Sequence, residues 1–165
     1  MLLTLMLAST IAAQTPVEQG RAAVPQLRYL DPGQIQGLPA GIRGDLQKLD
    51  CRIPKFNNWD ARHNVIQGQF LKAGQIDWAI LCRTRDMTGI LLYPGGMAVE
   101  LPMLRAQPAD STRALHAVSA FVLQKRAIRD HPEAPALFDH DGIEDGPIQQ
   151  PGHVLYYRDD AWTEY

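Results

Sequence analysis

The sequence predicts an α+β domain: one antiparallel sheet of about five or six strands, with helices packed on one face. Three observations lead there. Residues 64–93 read as apolar strands broken by short polar turns, among them Asp-Trp-Ala-Ile-Leu-Cys-Arg at Asp77–Arg83. Ile35, Leu38, Ile42, Leu46 and Leu49 recur at three- and four-residue steps, which marks a helix face. Strand-like runs return at residues 154–158 and 161–165, after a second helical stretch. Strands in the middle and at the end, with a helix before and another between, give a sheet with its helices segregated.

The elements follow in order. Residues 14–33 mix Gln, Pro and Arg without a sustained period and are expected to form an extended N-terminal arm, leaving residues 34–165 as a single domain. Pro39 suits a first-turn position, so the first helix is expected over residues 40–49, weakened by Gly41 and Gly44 by ~1 kcal/mol each. Residues 65–70 read as a strand, with Ala73-Gly74 as the turn after it. In the next strand Trp78, Ile80 and Cys82 fall on one face and Ala79 and Leu81 on the other, as in a central strand covered on both sides. Its partner is expected at residues 90–93, a shorter return strand at 97–101, and a linker at 102–110. Residues 115–121 fit strand or helix, and a helix with a basic face of Lys125, Arg126 and Arg129 follows, ending before Pro132. Residues 139–146 read as an acidic turn, then 154–158 as a strand, Asp159-Asp160 as a turn and 161–165 as a last strand.

The chain has 165 residues, enough for one core. Lys+Arg number 16 against 18 Asp+Glu, a net charge of -2, so no overall field draws in nucleic acid or an anionic membrane. Residues 1–13 are apolar and uncharged in their side chains and end in small residues, the pattern of a signal peptide; the alternative is a buried first helix. The run is shorter than the roughly 20 residues a membrane span needs. The expected product is secreted or periplasmic, without a membrane span, and monomeric.

Export favours a disulfide between the two cysteines, Cys51 and Cys82. It would close a loop of about 31 residues, worth roughly 3.5–4 kcal/mol. The alternative is a reactive thiol at Cys82, which its apolar surroundings oppose.

Gly68-Gln69-Phe70, Gly74 and residues 77–81 together resemble one FG-GAP or VCBS unit. Such units are propeller blades whose loops often bind calcium. Here Gln69, Leu71, Lys72 and Gln75 stand where carboxylates would be needed, and there is one unit where a propeller needs at least ~4 blades. The resemblance therefore implies strand–turn–strand alone. A second set of residues is similar to a group of small exported bacterial proteins of unknown function. It comprises Cys51 to Pro54, Asn64-Val65-Ile66, residues 77–82, and His140-Asp141-Gly142-Ile143-Glu144-Asp145. That similarity implies export and fold type.

The acidic turn is the main candidate site. Asp139, Asp141, Glu144 and Asp145 with His140 lie within seven residues. Three readings stay open: a solvated turn with Asp141 capping backbone, a calcium site, and acid–base catalysis by paired carboxylates. The calcium-loop spacing with its downstream bidentate glutamate is absent. Beyond residue 13 the serines are Ser111, read as capping or preceding a helix, and Ser119, read as packed; neither lies in a Gly-x-Ser-x-Gly turn. The histidines His63, His116, His131, His140 and His153 form no His-x-x-x-His pair for zinc. Pro94-Gly95-Gly96 is a turn and not a phosphate loop. No firm cofactor is implied; calcium at the acidic turn is the one candidate.

Trp59, Tyr156 and Trp162 are candidate partner-binding residues, since aromatics anchor interfaces. If Tyr156 and Trp162 share a sheet face they form a contact patch; otherwise they roof the core. The expected function is an exported, non-enzymatic domain that binds a protein or glycan of the cell envelope. The alternatives are a small hydrolase or calcium-binding protein using the acidic turn, and a structural piece of an envelope complex.

Overall fold

The structure, a computed structural model, describes residues 26–56, 64–108, 113–130, 137–148 and 150–165. The expected signal peptide, residues 14–25 of the arm, Trp59, His63, Ser111 and His131 lie outside the described residues. In chain order the elements are β1 (Leu27–Leu30), α1 (Ala40–Lys48), β2 (Ile53–Phe56), β3 (Val65–Gly68), β4 (Asp77–Arg83) and β5 (Met87–Tyr93). They continue as β6 (Leu104–Pro108), β7 (Arg113–Val118), α2 (Ala120–Asp130), β8 (Gly142–Pro147), β9 (His153–Arg158) and β10 (Ala161–Glu164).

The strands form three antiparallel sheets, ordered β1-β2, β3-β4-β5-β6 and β10-β9-β8-β7. The expected α+β domain with one sheet of five or six strands is therefore wrong. Among the described residues the protein is mostly β, with ten strands and two α-helices. The physical reason lies in β4. Both its faces are buried, as its apolar pattern requires, but they are covered by different things. Ile42 and Leu46 of α1 pack on Trp78, Ile80 and Cys82, joined by Leu91 and Tyr93 of β5. Ala79 and Leu81, with Ile90 and Leu92, pack on Leu115, Ile143 and Leu155 of the other four-stranded sheet. On that sheet's far face, Val118, Val154 and Tyr156 meet Leu123 and Ala127 of α2. The order of layers is helix, sheet, sheet, helix. A fully buried leucine or isoleucine contributes ~1.5–3 kcal/mol, so these three clusters carry the fold.

Three local expectations are also corrected. The acidic stretch is not a turn: residues 142–147 form β8, paired with β7 and β9. The linker expected over 102–110 contains β6, while residues 97–101 form no strand. The ambiguous stretch divides into β7 and α2, and Ser119, expected to be packed, is exposed between them with Oγ 3.5 Å from the Val122 amide.

Cys51 and Cys82 are disulfide-bonded, with Cα atoms 5.5 Å apart. The bond ties the chain just after α1 to β4, beside a two-residue bridge in which Arg52 and Arg83 exchange backbone hydrogen bonds. Buried Asn64 links all three sheets. Its Nδ2 donates to Pro54 O (2.6 Å), its Oδ1 accepts from Leu115 N (3.1 Å), and its carbonyl accepts from Leu81 N (3.0 Å). Buried Asp77 accepts from the amides of Phe70, Leu71 and Gly95 (3.0, 3.0 and 2.9 Å), which ties the segment before β4 to the turn after β5 at the open end of that hairpin.

Candidate functional site

The segment leading into β8 and the β9–β10 hairpin bring the chemistry-bearing side chains together. Register pairs Trp162 with Tyr157 and Thr163 with Tyr156, so Tyr156 faces α2 and Trp162 faces the other sheet. The two residues thus do not share a face. Tyr156 is buried; Trp162 is half-buried, its ring 5.2 Å from that of Tyr157. The hairpin closes at Asp159 and Asp160, with φ of 51° and 60°. A two-residue hairpin turn with both φ values positive favours Asn-Gly or Asp-Gly, and aspartate is among the few other residues that tolerate this region.

Tyr156 organises the segment beside it. Its hydroxyl donates to Asp139 Oδ1 (2.7 Å) and accepts from the Asp139 amide (3.2 Å). The His140 ring stacks on Tyr156 at 4.3 Å and 14°, and Phe138 meets Tyr156 edge-on at 4.8 Å. The two His140 nitrogens lie 3.0 and 2.9 Å from the carbonyl oxygens of Asp141 and Tyr157. The hydrogen bond from Tyr156 holds the Asp139 carboxyl below its ordinary range against a smaller opposing effect of burial, with nearby His140 acting in the same direction as the bond. Burial, then the bond to Asp139, pushes the Tyr156 phenol up.

The four candidate carboxylates are dispersed. Asp139 points outward, with 68% of its side chain exposed. Asp141 joins β3 reciprocally: its amide donates to Gln69 O (3.0 Å) and its Oδ2 accepts from Gln69 N (3.0 Å). That contact needs Gly68, where a Cβ would come within 2.6 Å of the Phe70 ring and 3.1 Å of Asp141 Oδ2. Glu144 turns toward α2, accepting from Arg126 Nη1 (2.9 Å) and Gly152 N (3.2 Å). Asp145 lies on the inner face against Arg113. Alternation along β8 sends neighbours 144 and 145 to opposite faces. Among the described residues no three His, Cys, Asp or Glu side chains are grouped to hold a metal ion.

What the structure does assemble is an open cleft of about 450 Å3, walled by Tyr157 and edged by Lys72, Asp139, Arg158, Asp159 and Asp160. Lys72 comes from the β3–β4 turn, Asp139 from the segment before β8, and the others from the hairpin. Sequence reasoning singled out Asp139 and the aromatics Tyr156 and Tyr157, and read Asp159-Asp160 as a turn, but did not bring these together with Lys72 and Arg158 as one surface. The available signal was the Asp-Asp pair at a turn whose geometry prefers glycine. No helix among the described residues is long and apolar enough to cross a membrane. No protein-family model matches the chain, and neither a curated protein nor a solved structure matches it.

Proposed function

We propose that this chain is an exported binding domain without catalytic activity, and that its partner is a glycan or protein of the cell envelope, held at the cleft beside Tyr157. One observation carries the reading. The charged side chains at the cleft edge are exposed beside an aromatic ring, and Asp139 keeps 68% of its side chain exposed although the Tyr156 hydroxyl holds it, while Asp141, Glu144 and Asp145 nearby turn to partners within the fold. Outward Asp, Arg and Lys groups bond hydroxyls and backbone amides, and an aromatic wall supplies apolar contact. The Cys51–Cys82 bond favours an oxidising compartment, in keeping with the apolar run at residues 1–13.

The test is binding of the chain to an array of envelope glycans and, in parallel, capture of envelope proteins with partner identification by mass spectrometry. Asp160→Asn, which removes the charge but keeps a residue that tolerates the left-handed turn, and Tyr157→Ala are expected to weaken the captured interaction at least tenfold, and Asp160→Asn to do so with little change in melting temperature. Glycan or peptide turnover abolished by Asp139→Asn would replace this reading with the hydrolase.

A further inference from the structure

A second cleft, of about 380 Å3, lies beside the disulfide and is lined by Tyr29, Asp50, Arg52, Arg83, Thr84 and Arg85. Arg52 and Arg83 are directly opposed in their antiparallel bridge, with N···O distances of 2.8 and 2.9 Å, so both side chains leave the same face. Like charges set directly opposite one another repel. Arg52 is offset by Asp31 at 2.5 Å and Asp50 at 3.8 Å, but all three side chains are about half exposed or more, so these pairs contribute little and yield to a stronger ligand.

Arg83 is in a different position. It is half-buried, its guanidinium carbon lies 4.8 Å from the Tyr29 ring centroid, and its Nη1 donates to the Tyr29 hydroxyl at 2.6 Å. That partner is a neutral phenol, and neither Arg83 nor Arg85 has an ion-pair partner among the described residues. Having accepted from Arg83, the Tyr29 hydroxyl keeps its own proton to donate. Arg85 sits exposed at the tip of the β4–β5 hairpin, which Thr84 N closes onto Met87 O at 2.9 Å. The neighbouring Cys51–Cys82 bond fixes the two segments that carry Arg52 and Arg83.

We propose that this cleft binds an oxyanion, a phosphate monoester or sulfate group, gripped by Arg83, Arg85 and Arg52 with the Tyr29 hydroxyl as a fourth donor. Planar guanidinium forks match tetrahedral oxyanions, pairing two N–H groups with two oxygens. Because the chain as a whole carries a net charge of -2, the attraction is local and falls steeply with salt. The site is separate from the cleft at Tyr157 and independent of what binds there.

The group arrives either on a small phosphorylated or sulfated molecule or on a lipid headgroup. The experiment is calorimetric titration of the full chain with inorganic phosphate and with sulfate at low ionic strength. A parallel arm measures co-sedimentation with phosphatidic acid–phosphatidylcholine vesicles, whose anionic headgroup is a phosphate monoester, against phosphatidylcholine alone. Saturable binding is expected in at least one arm. Arg85→Gln and Arg83→Gln should weaken it tenfold or more, Tyr29→Phe severalfold, and Arg158→Gln not at all. Saturation by the free ions assigns a small ligand; binding confined to anionic vesicles and lost in the same variants assigns a headgroup. Arg85 is exposed at a turn, so its variant folds even if Arg83→Gln does not. Equal binding by the parent chain and Arg85→Gln, or no binding in either arm, overturns the proposal.

Discussion

Arg113 grips Asp145 with both ends of its guanidinium, Nε donating to Oδ1 at 2.9 Å and Nη2 to Oδ2 at 2.5 Å, where the carboxylate is 1% exposed. The same arginine donates through Nη1 to the carbonyls of Thr88 and Arg105, so β7 and β8 are tied to β5 and β6 across the core. Arg105 Nε lies 2.8 Å from Oδ2, a charge contact off the line of a hydrogen bond, and Arg105 also pairs with Glu164. Asp145→Ala leaves two arginines facing one another between the sheets. Removing one partner of a buried pair costs about 3–5 kcal/mol. Urea unfolding should show that loss, and 0.5 M salt should change the parent little because the pair is shielded from solvent. A loss under 1 kcal/mol would refute the tie.

Asp141 acts as an internal cap on β3, where its carboxylate and amide face Gln69. Asp141→Ala forfeits one hydrogen bond to an ionised acceptor and should lower stability by about 1.5–3 kcal/mol. Asp141→Asn keeps an acceptor and should recover much of it. Millimolar calcium is expected to leave the melting temperature of both the parent and the Asp141→Asn chain unchanged. A calcium-induced rise of several degrees in the parent alone would restore the calcium reading.

The carboxylates of β8 also explain what the sequence could and could not reveal. Asp145 and Glu144 look like solvated turn residues because their neutralising partners, Arg113 and Arg126, lie 32 and 18 residues away. Local polarity is uninformative once distant charges compensate it. The doubly apolar β4 was legible, as were α1 and the β9–β10 hairpin, since each has a strong period or turn signal. The pattern of β4 states that both faces are covered, not by what, and helices on one face or a second sheet satisfy it equally. β1 and β2 are four residues each, too short for a period to show. The cleft at Tyr157 draws on three segments, from Lys72 to Asp160, and no local motif can announce such a convergence.

Tyr93 gives the fold a pH dependence. Its buried hydroxyl donates to Asp45 Oδ2 at 2.9 Å, and burial, followed by the bond to Asp45 and its negative charge, pushes the phenol far above its ordinary 10.0. The folded state therefore keeps the proton. Below pH 10 the contribution of this group is fully present. As pH rises beyond 10 the unfolded chain ionises, the folded chain does not, and stability falls by up to ~1.4 kcal/mol per pH unit. Tyr93→Phe lacks that loss. It should be less stable than the parent by about 1 kcal/mol at pH 8, and denaturant titrations repeated up to pH 11.5 should show the gap closing. A constant gap would mean that Tyr93 ionises as easily folded as unfolded.

The Cys51–Cys82 bond spans 31 residues and lies against the apolar contact of α1 with β4. Its removal acts on two states at once. The unfolded chain regains the freedom of the loop, which the chain-entropy account puts at roughly 3.5–4 kcal/mol. In the folded chain α1 keeps Ile42 and Leu46 on Trp78 and Ile80, so its packing persists and only its anchorage is lost. Paired Cys51→Ala and Cys82→Ala should therefore lower stability by that amount while leaving near-ultraviolet circular dichroism close to the parent's. Hydrogen exchange should then accelerate in α1 and β2 before it does in β7 and β8, which are held by Arg113 and Asp145. Uniform acceleration across all these elements would show that the bond acts on the whole core at once, and not on the α1 layer.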